Sequence, residues 1–185
     1  MAQSSIKTTI CEYSVCRELY ECFYRSSRYN DMVFHDGIAP LLKTCRASEL
    51  YLGTYASTAL WRSTLSEAVL QKEITEQRCC IAELFKLDDF AGFYFPLCRP
   101  GMVSYPDDWA HRTKVLYRAF AEKVRELSPK RKVLLPISAA NVPGTLEDFV
   151  NEWKCVLDEA KPDALLVTGS RAEIWRQLEY PIIYA

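Results

Sequence analysis

Three aspartates, a thiol and a set of aromatic and basic side chains lie on or just beyond short apolar runs, and in parallel α/β proteins ligands bind at the carboxyl ends of such runs. Asp36 follows MVF at 32–34, Tyr55 closes LYLGTY at 50–55, and Cys98 and Arg99 follow GFYFPL at 92–97. Asn141 comes just after VLLPIS at 133–138, and Ser170 and Arg171 just after ALLVT at 164–168. The segment from Arg99 onward adds Tyr105, Asp107 and Asp108, with Trp109 next.

These residue types support three chemistries. Cleavage of a glycosidic bond needs two opposed carboxyl groups, with aromatic faces to carry sugar rings. Asp36 with Asp107 or Asp108, beside Tyr55, Tyr105 and Trp109, supplies those types, although Asp107 or Asp108 serves equally as the N-cap of the next helix. Binding of an anionic substrate is the second: Gly169-Ser170-Arg171 opens a helix whose free N–H groups and dipole favour phosphate or carboxylate, with Arg99 as a second contact and Asn141 nearby. Ser170 is equally a plain cap. The third takes Cys98 as a nucleophile and His35 as its base, against a buried structural thiol. His111 falls inside a helical segment and reads as a surface or capping residue.

Eight cysteines are present, at positions 11, 16, 22, 45, 79, 80, 98 and 155. An even number invites a disulfide framework, but the chain is long enough to fold without staples, and the adjacent Cys79 and Cys80 sit in a helical segment where they cannot readily bond each other. Reduced, mostly buried thiols are expected. No Cys-X-X-Cys occurs, and Cys11, Cys16 and Cys22 with His35 match no zinc spacing, so neither a metal nor another cofactor is expected.

From about residue 31 the apolar runs alternate with long amphipathic segments, the pattern of parallel strands joined by crossover helices. Leu65, Val69, Ile74, Ile81, Leu84 and Phe85 form one stripe over 64–86; Leu146, Phe149, Val150, Trp153, Val156 and Leu157 form another over 146–157. Thr64 with Glu67, Thr145 with Asp148 and Ser170 with Glu173 mark helix starts. Further helices are expected over 108–127 and 38–47. PIIY at 181–184 completes six strand candidates. Residues 1–30 read instead as an extension with one helix near 11–25, its aromatic Tyr13, Tyr20, Phe23 and Tyr24 distributed around more than one face; residues 31–185 read as a single α/β domain.

The chain has 185 residues, 49% of them apolar, with 23 Lys+Arg against 24 Asp+Glu. Such near neutrality gives no reason to expect nucleic acid or an anionic membrane as partner. No window reaches the roughly 18 apolar residues of a membrane span, and the amino terminus has no secretory apolar core, so an intracellular location is expected.

In combination and in order, LYLGTY, a helix ending AELFKL, FAGFYFPLCRP, a helix ending VRELSPKRKVLLP, TLEDFVNEWKCVLDEA and PDALLVTGS resemble an uncharacterised family of glycosidase-like (β/α) barrels. The resemblance runs from about Asp36 to Ser170. It implies barrel-type strands with a carbohydrate site at their carboxyl ends. Where the family carries a Gln-Glu pair, with the Glu as acid/base, this chain has Leu97 and Cys98; where it carries Gln-Asp-Gly, this chain has Thr168, Gly169 and Ser170. Six strands also fall short of the eight of a full barrel.

The fold expected is therefore a partial or degenerate TIM-type barrel, with an open doubly wound sheet as the alternative. The function expected is that of a non-catalytic descendant of a barrel enzyme, a binding or assembly module that meets a protein partner or further copies of itself, with carbohydrate as a second class of ligand. The alternatives are a carbohydrate-active hydrolase using Asp36 with Asp107 or Asp108, and an enzyme binding an anionic substrate at Arg99 and Ser170.

Overall fold

A computed structural model describes residues 8–45, 49–62, 65–96, 106–138, 145–168 and 180–184. The chain opens with β1 (Thr8–Cys11), β2 (Val15–Cys16), β3 (Glu21–Cys22) and β4 (Val33–Phe34), then the short helix α1 (Ile38–Thr44). Strands and helices then alternate: β5 (Glu49–Gly53) with β6 (Tyr55–Ala56), α2 (Glu67–Leu84), β7 (Gly92–Tyr94), α3 (Trp109–Leu127), β8 (Lys132–Ser138), α4 (Leu146–Ala160), β9 (Ala164–Thr168) and β10 (Ile182–Tyr184).

Six strands form one wholly parallel sheet in the order β1-β5-β7-β8-β9-β10. Each strand lies beside the one before it and the order never reverses. A doubly wound sheet reverses at a switch point, whereas unidirectional winding with right-handed crossovers keeps every helix on one face, as in a barrel. The result is an open half barrel, and the doubly wound alternative is set aside.

Strand alternation sorts the core into two layers. Leu50, Leu52, Phe93, Val133, Leu135, Ile137, Leu165 and Val167 face the helices and join Leu70, Ile81, Phe120, Val124, Trp153 and Val156 in the main core. Tyr51, Tyr94, Leu134, Ala164 and Leu166, with Ile10 and Ile183 beside them, make a separate cluster on the other face, the interior of the barrel curve. Gly92 belongs to this inner layer by alternation, and a Cβ there would collide with the backbone of Lys132 on β8. Close strand approach thus requires glycine.

The helices begin where side chains supply acceptors for free N–H groups. Thr145 caps α4 as expected, accepting from the Asp148 N–H at 3.2 Å while its hydroxyl donates to Asp148 Oδ2 at 2.6 Å. The cap of α2 is Ser66, not Thr64, and it accepts from Val69 N. The Ser170 cap lies outside the described residues.

The largest departure from expectation is at the amino terminus. No helix forms over 11–25: β1, with its β-branched Thr8, Thr9 and Ile10, is the first strand of the barrel sheet, paired with β5 in register Ile10 to Tyr51. MVF at 32–34 contributes β4 to a second, four-stranded sheet of order β4-β3-β2-β6. That sheet continues the barrel strands, since β2 pairs in parallel with β6 just as β1 pairs with β5, and Ser14 and Val15 both donate to the Thr54 carbonyl between them. The aromatic spread that reads as a helix with several apolar faces is the alternation of short strands and turns: Tyr24 is buried, Phe23 is half-buried, and Tyr20 sits exposed at positive φ in a turn.

Candidate functional site

Three of the proposed site residues occupy structural places. Trp109 is 4% exposed. Its ring lies 5.4 Å from Phe149 and 5.2 Å from Trp153, so it is a core member of the α3–α4 contact and offers no face to a sugar. Asp108 stands at the N-cap of α3, but its side chain makes no capping bond. Its Oδ1 instead lies 2.6 Å from Nη2 of Arg112, a guanidinium only 3% exposed, which also donates to the Arg62 carbonyl at 2.6 Å. Tyr55 is 3% exposed and its ring stacks on Tyr29 with centroids 6.0 Å apart.

Asp36 and Asp107 are exposed, Asp36 between β4 and α1 and Asp107 before α3. His35 stacks on Phe23 at 5.1 Å with its Nε2 3.3 Å from Glu21. Cys98, Arg99, Tyr105, Asn141, Ser170 and Arg171 lie outside the described residues. The seven described cysteines are free thiols, and no group of three or more His, Cys, Asp or Glu is placed to hold a metal among the described residues. Burial pushes the thiol of Cys80 far above its ordinary value, and those of Cys11, Cys16 and Cys22 upward, which disfavours the thiolate.

The described cavity richest in charge lies elsewhere, between α2 and the second sheet. It has a volume of about 320 Å³ and is lined by Arg17, Arg28, Tyr29, Asp31, Met32, Tyr55, Lys72 and Glu76. The loop after β3 forms one wall and is pinned to α2 by two carboxylates. Glu76 receives Arg28 in a forked pair, Nε to Oε2 at 2.9 Å and Nη2 to Oε1 at 2.7 Å, and the Tyr29 hydroxyl at 3.0 Å. Burial alone would raise the Glu76 carboxyl, but these donors outweigh it and hold the group below the usual carboxylate range. Two turns further along α2, Glu83 accepts from the hydroxyls of Tyr24, Ser26 and Ser27 and from the Ser27 and Arg28 N–H groups.

Sequence reading missed this cluster apart from Tyr55. Arg28 and Glu76 are separated by 48 positions, and nothing in the spacing of either links a loop after a two-residue strand to the polar side of a helix. Also unforeseen is the polar buttress beneath it. Thr54 and Gln77 are both buried; the Thr54 hydroxyl donates to Gln77 Oε1 at 2.6 Å, and Gln77 Nε2 donates to the Tyr55 carbonyl at 2.5 Å. A glutamine on the otherwise apolar stripe Leu70, Ile74, Ile81, Leu84 was the available signal, because a buried amide requires partners.

No family model and no curated protein matches the chain. Among solved structures it is similar to a protein of Bacteroides thetaiotaomicron described as a "putative alpha-L-fucosidase", with a TM-score of 0.71 and 15% identity over 97% of this chain and 64% of the other. At that identity the likeness is one of fold. The chain spans about 64% of the length of the structure it matches. What the two share is the arrangement of a parallel, open half barrel with crossover helices. Among the described residues no helix is long and apolar enough to cross a membrane.

Proposed function

We propose that this chain is a non-catalytic descendant of a glycosidase-like barrel, retained as a binding or assembly module. The observation that carries the reading is the scarcity of acids where barrel strands deliver them. The segments following β6 and β8, residues 57–66 and 139–144, contain no Asp or Glu, and the one following β7, residues 95–108, has only Asp107 and Asp108, at its far end beside α3. A glycosidase needs two carboxyl groups converging across the sugar, and hydroxyl or thiol groups do not replace them. Glu12, just after β1, is an exposed carboxylate without an opposed partner among the described strand ends, and Asp108 is committed to Arg112. Support for an assembly role comes from the sheet: β1 and β10 each pair on one side only among the described strands, and an unpaired parallel edge is a surface that another chain can cover.

The test is turnover of a panel of 4-nitrophenyl glycosides, the α-L-fucoside included, with the solution mass measured on the same sample by light scattering. The expected result is no release above buffer and a mass above the 21.3 kDa of one chain. Turnover that disappears in Glu12→Gln or Asp108→Asn overturns the non-catalytic reading; a stable monomer overturns self-assembly.

A further inference from the structure

The cleft between α2 and the second sheet has an asymmetry in its hydrogen-bonding capacity. The carboxylates on or near it already accept hydrogen bonds from the protein. Glu76 holds Arg28 and Tyr29, Asp31 accepts the Tyr20 hydroxyl at 2.6 Å, and Glu18 accepts the Thr58 N–H and hydroxyl at 2.7 and 2.8 Å. Glu73 is hydrogen-bonded by Ser57. The groups left over are donors. Among the described residues, Arg17 and Lys72 line the cleft with no carboxylate within ion-pair distance, and the Tyr55 hydroxyl makes no hydrogen bond.

A cleft that presents a guanidinium, an ammonium and a phenol hydroxyl, none of them held by a carboxylate among the described residues, offers its donors to a ligand rich in acceptors. Its lining carries Arg17, Arg28 and Lys72 with Asp31 and Glu76, Glu18 and Glu73 lie close by, and the Tyr29–Tyr55 stack with Met32 supplies an apolar floor. The volume of about 320 Å³ suits a molecule of monosaccharide size. We propose that this cleft binds a small oxyanion of the phosphate-ester class, with Arg17 and Lys72 flanking the anionic oxygens and Tyr55 donating to one of them. The preformed Arg28–Glu76 fork fixes the wall of the site, so little ordering accompanies binding. The site lies on the helix side of the sheet, outside the barrel curve, and stands independently of whether the barrel is catalytic.

The experiment is thermal unfolding and titration calorimetry of the full chain in about 150 mM NaCl, a background that screens diffuse surface attraction. The probes are inorganic phosphate and glucose 6-phosphate, compared with added chloride of equal ionic strength. Both phosphates are expected to raise the melting temperature beyond the chloride control, the sugar phosphate more, and Arg17→Gln or Lys72→Gln is expected to weaken binding about tenfold, the loss of one charge-assisted hydrogen bond. Both side chains are exposed, so neither variant threatens folding; Tyr55→Phe removes the hydroxyl alone and should weaken binding less. Inorganic phosphate binding as tightly as the ester would assign the site to the free ion. No shift beyond the chloride control, or a shift unchanged in both charge variants, overturns the proposal.

Discussion

The side-chain amide of Gln77 donates to the backbone carbonyl of Tyr55 at 2.5 Å, latching the middle of α2 to the point where the second barrel strand leaves the sheet. Its Oε1 accepts from Thr54, so both ends of the amide are used. This single residue joins the half barrel, the amino-terminal sheet and the helix that walls the cleft.

Gln77→Leu should therefore cost more than its similar volume suggests. It leaves the Tyr55 carbonyl and the Thr54 hydroxyl without their partner in a buried setting, a loss of about 1–3 kcal/mol. Urea unfolding is expected to show a lower midpoint with an unchanged slope, which marks a change in stability and not in compactness.

Acid should loosen the amino-terminal sheet first. Burial tends to raise the Glu83 carboxyl, but hydrogen bonds from Ser26, Ser27 and Tyr24 prevail and hold it below its ordinary value; Glu76 is held down in the same direction by Arg28 and Tyr29. With the folded-state value depressed, the unfolded chain binds more protons in that window. The stabilisation is full above the unfolded carboxyl value, about 4.3, and is lost as pH falls through the folded one. Stability measured from about pH 7 down to pH 3 should fall less steeply in Glu83→Gln than in the parent, and amide exchange at Ser27 and Arg28 should be faster in that variant even at neutral pH.

Trp109 separates packing from recognition. Trp109→Ala removes a ring packed against Phe149 and Trp153 and should destabilise by about 3–5 kcal/mol in chemical denaturation. A variant that unfolded like the parent while losing affinity for a glycan would instead make Trp109 a sugar platform.

One substitution should stabilise. Lys161 follows α4 in the left-handed region, at φ 49° and ψ 59°, where its N–H donates to the Leu157 carbonyl at 2.7 Å. Glycine adopts this conformation without a Cβ penalty, and the contacts made there by Arg125 go to the Ala160 and Lys161 backbone carbonyls, which glycine retains. Lys161→Gly is expected to gain about 0.5–1 kcal/mol, read as a rise of about 1–4 °C in melting temperature.

The alternation of apolar runs and amphipathic stripes from LYLGTY to ALLVT was legible because each run buries both faces and each stripe buries one, and those demands are local in sequence. Thr145 with Asp148 was legible for the same reason: the cap is made within four residues. The amino terminus was not, because strands of two residues carry too few positions to show a period of two, and the pairing of β2 with β6 that ties them to the barrel spans 40 residues. Sequence by itself determined a chain of strands alternating with crossover helices and few carboxylates near the strand ends, since an absent carboxylate is absent in any fold, whereas the order of the strands came only from their pairing. Tertiary structure alone decided that Thr8–Cys11 opens the barrel, that Trp109 and Asp108 serve packing and Arg112, and that Arg17, Arg28, Tyr55, Lys72 and Glu76 share one cleft. Those juxtapositions arise from long-range strand pairing and from polar groups meeting the partners that burial requires, neither of which leaves a local mark on the chain.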